Sequence, residues 1–222
     1  MNRLPHLDDR LARAAALFPA CVYGADIGAD HGRLSCVLLA KGICQRMCVA
    51  DISPASLRKA ERLLQVHGLS DRADVTSGDG LTVLPKPAQA IAILGMGGRT
   101  VSEILQAGRE KLQNAALILS AHTDILLVRR TLFQLDYWIE TEEIAQVSGR
   151  MYVVLRALPG RENYTEKQLL LGPRLMETLQ EHYPAYISWR IETARCKRSP
   201  EADEELAWLK EEEERVRDRA ND

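Results

Sequence analysis

Cys21-Val22-Tyr23-Gly24-Ala25-Asp26-Ile27 is an apolar run that leads directly into Gly28-Ala29-Asp30-His31-Gly32. A strand ending on a glycine-rich turn is the opening of a doubly wound α/β domain, and such domains bind ligands beyond the carboxyl ends of their strands. Upstream, Leu7, Leu11, Ala14, Ala15 and Phe18 recur at helical spacing until Pro19 ends the helix. Downstream, a short helix over 34–41 leads to a second strand over 44–51. Ser53 offers a cap, Pro54 suits the first helical position and Gly68 a stop, which bounds a helix over 53–67. Strands are expected at 73–77, 89–94 and 115–121, with helices at 99–107 and 124–135. This alternation predicts a parallel sheet covered on both faces. The stretches 137–147 and 150–158, joined by Ser148-Gly149, read as an antiparallel hairpin.

Pro159-Gly160 marks a break, after which helices are expected over 165–182, 185–197 and 200–219. In the last, Ser199 can cap, Pro200 suits the first helical position, and Leu206, Leu209 and Val216 line one face. The run Glu211–Glu214 reads as a solvated face. The organisation is therefore an α/β domain over 1–160 and a small, coiled-coil-like helical domain over 161–222, and a chain ending near Arg161 is expected to fold alone.

The 222 residues suffice for one such domain plus an appendage. A composition of 46% hydrophobic and 27% charged residues is globular, and no apolar run is long enough to span a bilayer. Asp8, Asp9, Arg3, Arg10 and Arg13 interrupt any signal-like segment, so a cytoplasmic location without membrane partners is expected. Cys21, Cys36, Cys44, Cys48 and Cys196 form no CxxC pair, so neither a metal site nor a disulfide framework is expected. A net charge of −2 argues against a DNA-coating protein but allows RNA to be held on a local basic patch.

The turn's acids narrow the ligand. A dinucleotide site places a pyrophosphate over G-x-G-x-x-G, but here Asp30 occupies the middle glycine position and would repel phosphate. S-adenosylmethionine (SAM) carries a sulfonium, an ammonium, ribose hydroxyls and an adenine amino group, and carboxylates can stabilise or accept from all of these. Acids stand at three successive strand ends: Asp26 and Asp30 around the first, Asp51 at the second, and Asp79 after the third within Ser77-Gly78-Asp79-Gly80. Each alone could be a turn residue; in register they point to one site. Gly95-Met96-Gly97-Gly98 follows the fourth strand and leaves room for a planar acceptor, or is simply a helix entry. A hairpin closing a parallel sheet also suits a SAM-dependent methyltransferase rather than an all-parallel dinucleotide fold.

The combination Asp26-x-Gly28-x-Asp30-His31, Gly78-Asp79-Gly80-Leu81 and Gly95-Met96-Gly97-Gly98 followed by Ile104-Leu105 resembles the bacterial tRNA adenine-N1 methyltransferase family, TrmK. The likeness extends over nearly the whole chain, including Leu171-Gly172-Pro173. It implies a Rossmann-like class I methyltransferase fold, SAM as methyl donor and N1 of a tRNA adenine as acceptor. By position, Asp26, Gly28, Asp30, His31, Asp51, Ile52, Asp79, Gly80, Gly95, Met96, Gly97 and Gly98 would line the SAM pocket. Adenine N1 becomes cationic on methylation, so Asp26 or Asp30 could stabilise the product charge as the catalytic residue. The sequence departs from the family on the acceptor side, with Ser120-Ala121-His122 in place of Gln-Pro-Asn and Tyr152-Val153 in place of Tyr-Glu. His122 either stacks in the acceptor pocket or caps the next helix. Arg99, Arg195, Lys197 and Arg198 are the expected tRNA contacts, the last three as the densest basic cluster, on a monomer or weak dimer. The competing readings are a small-molecule methyltransferase with a helical lid and a SAM-binding module without catalysis.

Overall fold

The computed structural model describes residues 3–196 and 200–219. The elements in chain order are α1 (Asp9–Leu17), β1 (Cys21–Ile27), α2 (Arg33–Ala40), β2 (Cys44–Asp51), α3 (Pro54–Val66), β3 (Ala73–Ser77), β4 (Ala90–Met96), α4 (Gly98–Ala107), the single turn α5 (Arg109–Leu112), β5 (Ala116–Ala121), α6 (Ile125–Gln134), β6 (Tyr137–Val147) and β7 (Arg150–Pro159). Four helices follow: α7 (Glu166–Leu171), α8 (Pro173–Thr178), α9 (Tyr183–Arg195) and α10 (Pro200–Arg219).

The strands form one sheet in the order β3-β2-β1-β4-β5-β7-β6. β1 to β5 run parallel, and β7 pairs antiparallel with both β5 and β6. The order reverses between β1 and β4, so their carboxyl ends splay apart into the crevice where such sheets bind ligands. β4 shows why the sheet is covered twice. Ile91 and Ile93 enter the apolar cluster with Leu105 and Val128, while Ala90, Ala92 and Leu94 enter the opposite cluster with Leu38, Met47 and Leu64. Strict alternation with no polar face leaves no side of a parallel strand for water.

The helices after β7 rest on the hairpin. Ile144 of β6 and Val153 of β7 share a third cluster with Tyr183, Ile187, Ile191, Leu209 and Val216. A fully buried ion pair fastens the joint: Arg129 Nε of α6 donates to Glu142 Oε1 of β6 at 2.7 Å. Arg129 Nη1 also donates to the Leu169 and Leu170 carbonyls at 3.0 and 3.2 Å, and the Arg174 backbone N–H donates to Glu142 Oε2 at 3.0 Å.

Periodicity predicts one helix over 165–182, and the structure instead breaks it into α7 and α8 at Gly172. Pro173 has no N–H to continue α7, and Gly172 adopts φ 98°. A Cβ at Gly172 would lie 2.7 Å from Arg129 Nη2 and 3.0 Å from Glu142 Oε2, so the break lets the backbone approach the buried pair.

Candidate functional site

At the carboxyl ends of β1, β2 and β4, backbone and acids lock together. Gly28 takes φ 71° and Asp30 φ 48° in the turn after β1. Asp51, ending β2, accepts from the Asp30 backbone N–H through Oδ2 at 2.9 Å and from the Ser53 N–H through Oδ1 at 2.8 Å. One carboxylate thus ties the first turn to the second, with lone pairs remaining on both oxygens. Asp30 accepts from Ser56 Oγ at 3.3 Å and bonds the His31 ring, whose other nitrogen accepts from Lys59 Nζ at 3.0 Å.

Asp26 is only 4% exposed and accepts from Ser35 Oγ at 2.6 Å. Burial pushes its carboxyl up to about 6; the Ser35 bonds oppose the rise and the Asp51 charge adds to it. β4 bulges against β5 between Leu94 and Met96, at Gly95 with φ 78°. Bulges recur beside active sites because they re-aim the chain. A cleft of about 410 Å³ opens here, lined among others by Asp26, Gly28, Asp30, His31 and Gly95.

Two further groups roof this cleft. Arg10 Nη1 of α1 lies 2.5 Å from His122 Nε2, and both line the cavity. A Cβ added at Gly95 would come within 3.8 Å of that His122 nitrogen and 3.9 Å of that arginine nitrogen, so the pair sits over the bulge. A guanidinium has only donors, so Nε2 accepts and the neutral ring carries its proton on Nδ1. Burial, then the charges of Arg10 and Arg150, hold His122 below its usual range. The Arg10 guanidinium carbon also lies 5.5 Å from the Tyr152 ring centre.

Among the residues expected to line a cofactor pocket, Asp26, Gly28, Asp30, His31 and Gly95 face the cleft directly, and Asp51 joins through Asp30. Ile52 projects beside Asp51 and is 71% exposed, among the few large apolar side chains in water. Met96 lies across the Gly28 turn, where a Cβ on Gly28 would fall 2.0 Å from its Cε. Gly97 precedes α4, and Gly98 is pressed against the Thr123 and Asp124 carbonyls, where a Cβ would fall 2.7 and 2.2 Å away. Asp79 is exposed at the start of the turn after β3, and Gly80 rests on Ile104.

Of the expected tRNA contacts, Arg99 is exposed in the first turn of α4 and Arg195 is exposed at the end of α9. Lys197 and Arg198 lie outside the described residues. Sequence reasoning missed Arg10 and Arg33. Arg10 is separated from His122 by 112 residues, and nothing local marks a helix-face arginine as part of a cleft. Arg33, with His31, Lys59 and Arg62, surrounds a shallow apolar hollow beside the cleft; its basic residues come from two segments and form no run.

The order of the sheet and the chemistry of its strand ends make the protein a Rossmann-like class I methyltransferase. The chain belongs to the TrmK family, described as tRNA (adenine(22)-N(1))-methyltransferase, which it matches over residues 24–218. It is 35% identical to the Bacillus subtilis tRNA (adenine(22)-N(1))-methyltransferase over 162 residues, which is 72% of this chain and 68% of the relative. The crystal structure of B. subtilis TrmK superposes with a TM-score of 0.81 at 26% identity, covering 97% of this chain and 99% of that one. M. capricolum TrmK in complex with S-adenosyl-homocysteine shares the fold, with a TM-score of 0.77 at 19% identity over 97% and 98% of the two chains.

Proposed function

We propose that this chain transfers a methyl group from SAM to N1 of an adenine in tRNA, with the cleft at the ends of β1, β2 and β4 as the cofactor site. The observation that carries the reading is the Asp51 carboxylate bridging two strand-end turns beside the buried Asp26. This set of groups fits SAM, because it offers acceptors and negative charge to a cationic ligand with hydroxyls and puts Asp30 where a phosphate cradle needs glycine. When bound, SAM supplies the methyl group on a cationic sulfur. Asp51 accepts ribose hydroxyls while keeping both turns in place, and the exposed Ile52 side chain covers an apolar ring face. Asp26 and Asp30 give the cleft its negative charge, and Gly28, His31, Asp79, Gly80, Gly95, Met96, Gly97 and Gly98 shape its walls.

Adenine N1 attacks through its own lone pair, so no base must remove a proton first. Positioning is then the protein's main contribution. As the ring becomes cationic, the carboxylates of Asp26 and Asp30 offset the new charge. His122 is kept neutral by burial and then by Arg10, so Arg10 alone contributes positive charge to this roof of the cleft. Arg99 and Arg195, with Lys197 and Arg198, contact tRNA phosphates, joined by Arg33 in the cleft and by Lys59 and Arg62 in the hollow beside it. Such a substrate places the work in the cytoplasm.

The test is the salt dependence of methyl transfer to tRNA. An RNA held through several phosphates loses affinity as a power of salt concentration, so KM for tRNA should rise steeply between about 50 and 200 mM salt. KM for SAM should barely move. A flat KM for tRNA would remove the phosphate contacts from the account.

A further inference from the structure

A second cavity, of about 340 Å³, lies on the far side of His122, which is a wall of both cavities. Tyr152 of β7 and the loop after β5 form one side; Tyr186 and Trp189 of α9 form the other. It is therefore built jointly by the sheet domain and the helical part. Its size falls within the range of ligand sites. The His122 and Tyr152 ring centres are 5.4 Å apart, and those of Tyr186 and Trp189 are 5.9 Å apart. The chain holds only three tryptophans, six tyrosines and two phenylalanines, so three of these residues meeting in one cavity is a concentration.

The arginine in the cavity is already committed. Arg190 Nη2 donates to Glu205 Oε1 at 2.6 Å, and Nη1 lies 3.1 Å from the Tyr186 hydroxyl. A neutralised arginine is a poor grip for phosphate, whereas Trp189 is 37% exposed and presents an aromatic surface to whatever enters. Flat, uncharged, π-faced groups are what such a wall selects. In an RNA ligand these are unstacked bases, which splay onto aromatic side chains.

We propose that this interdomain cavity takes the nucleobase next to the target adenosine in the same RNA, stacked on Trp189. The inference rests on the reading of the chain as a tRNA methyltransferase. His122 divides the two cavities, so the base whose N1 is methylated occupies the cofactor side and its neighbour occupies this one. Trp189 is then a positioning residue: it holds the strand splayed so that the target base meets the methyl donor.

The experiment compares Trp189→Ala, Trp189→Phe and the unaltered chain on intact tRNA and on transcripts with an abasic residue on either side of the target adenosine. Stacking of one base on an aromatic residue is worth about tenfold or more in affinity. W189A should therefore lower kcat/KM for intact tRNA by about tenfold, W189F should restore most of it, and SAM affinity should stay unchanged in both. On the transcript lacking the stacked base the unaltered chain should show the same loss, and W189A should add none to it. Losses that multiply on both abasic transcripts, or a W189A chain as active as the unaltered one, overturn the proposal. If no tRNA is methylated by the unaltered chain, the functional reading falls, and the cavity is tested separately. A chain carrying Trp138→Phe and Trp208→Phe leaves Trp189 as the sole tryptophan, and its fluorescence should be quenched by single-stranded oligoadenylate. No quenching refutes the base pocket.

Discussion

Replacing Arg129 by alanine should cost far more than any surface arginine, because of what is left behind. Both partners of the Arg129–Glu142 pair have no exposed surface, so the change strands a carboxylate whose only other donor among the described bonds is the Arg174 N–H. It also strips the Leu169 and Leu170 carbonyls of the Nη1 donor and opens a hole the size of a side chain. Breaking a buried pair from one side costs about 3–5 kcal/mol. At about 2–4 °C per kcal/mol for a chain of this length, the melting temperature should fall by about 6–20 °C. The control is Arg130→Ala, which breaks an ion pair to Glu166 whose side chains are 48% and 57% exposed and should cost under about 1 kcal/mol. Urea unfolding of the two variants beside the unaltered protein measures both. If Arg129→Ala is no worse than Arg130→Ala, the joint between sheet and helices is not held as described. The same geometry bears on a chain cut near Arg161. The cut removes Leu169, Leu170 and Arg174 from the pair, so the isolated sheet domain should unfold at lower denaturant even where it still binds SAM.

Asp51→Asn keeps one acceptor but aims an amide donor at a backbone N–H, so SAM affinity by calorimetry should fall about 10–100-fold, the equivalent of about 1.5–3 kcal/mol; unchanged affinity in a folded variant would contradict the role given to Asp51. Asp26 titrates near 6 in the fold, above its value in the unfolded chain, so the folded state binds the extra proton between about pH 4 and 6. Stability from this group is present below pH 4 and lost as pH rises through 6, about 3 kcal/mol at 1.36 kcal/mol per unit. Asp26→Asn should therefore gain on the unaltered protein in melting experiments as pH rises from 4 to 7, and parallel curves would refute the burial argument. Gly98→Ala would drive a Cβ into the Thr123 and Asp124 carbonyls and should destabilise by about 1–3 kcal/mol. Gly97→Ala meets nothing closer than Thr123 Oγ1 at 3.4 Å and should melt normally, so equal melting of the two variants would show the packing there to be misread.

The sheet was legible in the sequence because its signals are local. The apolar run at 21–27, the capped helix after Ser53 and the Ser148-Gly149 turn each report a backbone preference within a few residues, and a parallel sheet closed by a hairpin follows from them; the strand order does not. The helix expected over 165–182 misled because its apolar spacing continues through Gly172-Pro173. Gly172-Pro173 carries the break locally, and the tertiary contact of Gly172 with Arg129 and Glu142 shows what the glycine there is for. The strand-end acids were visible as residues, but the Asp51 bonds that cross between turns were not, and neither was the placing of Arg10 over Gly95. Those depend on how far apart in sequence two segments can be and still meet, which no local pattern carries. His122 was noticed as a departure that either stacks in the acceptor pocket or caps the next helix. Its place as the wall between two cavities came from the packing of α9 against β7.

The most direct measurement is nucleoside analysis of tRNA after incubation with the purified chain and SAM labelled in its methyl group. Label is expected in 1-methyladenosine at a single tRNA position, and should be lost in a variant whose Asp26 and Asp51 are both replaced by asparagine. Label in another nucleoside, or none despite SAM binding seen by calorimetry, would contradict it.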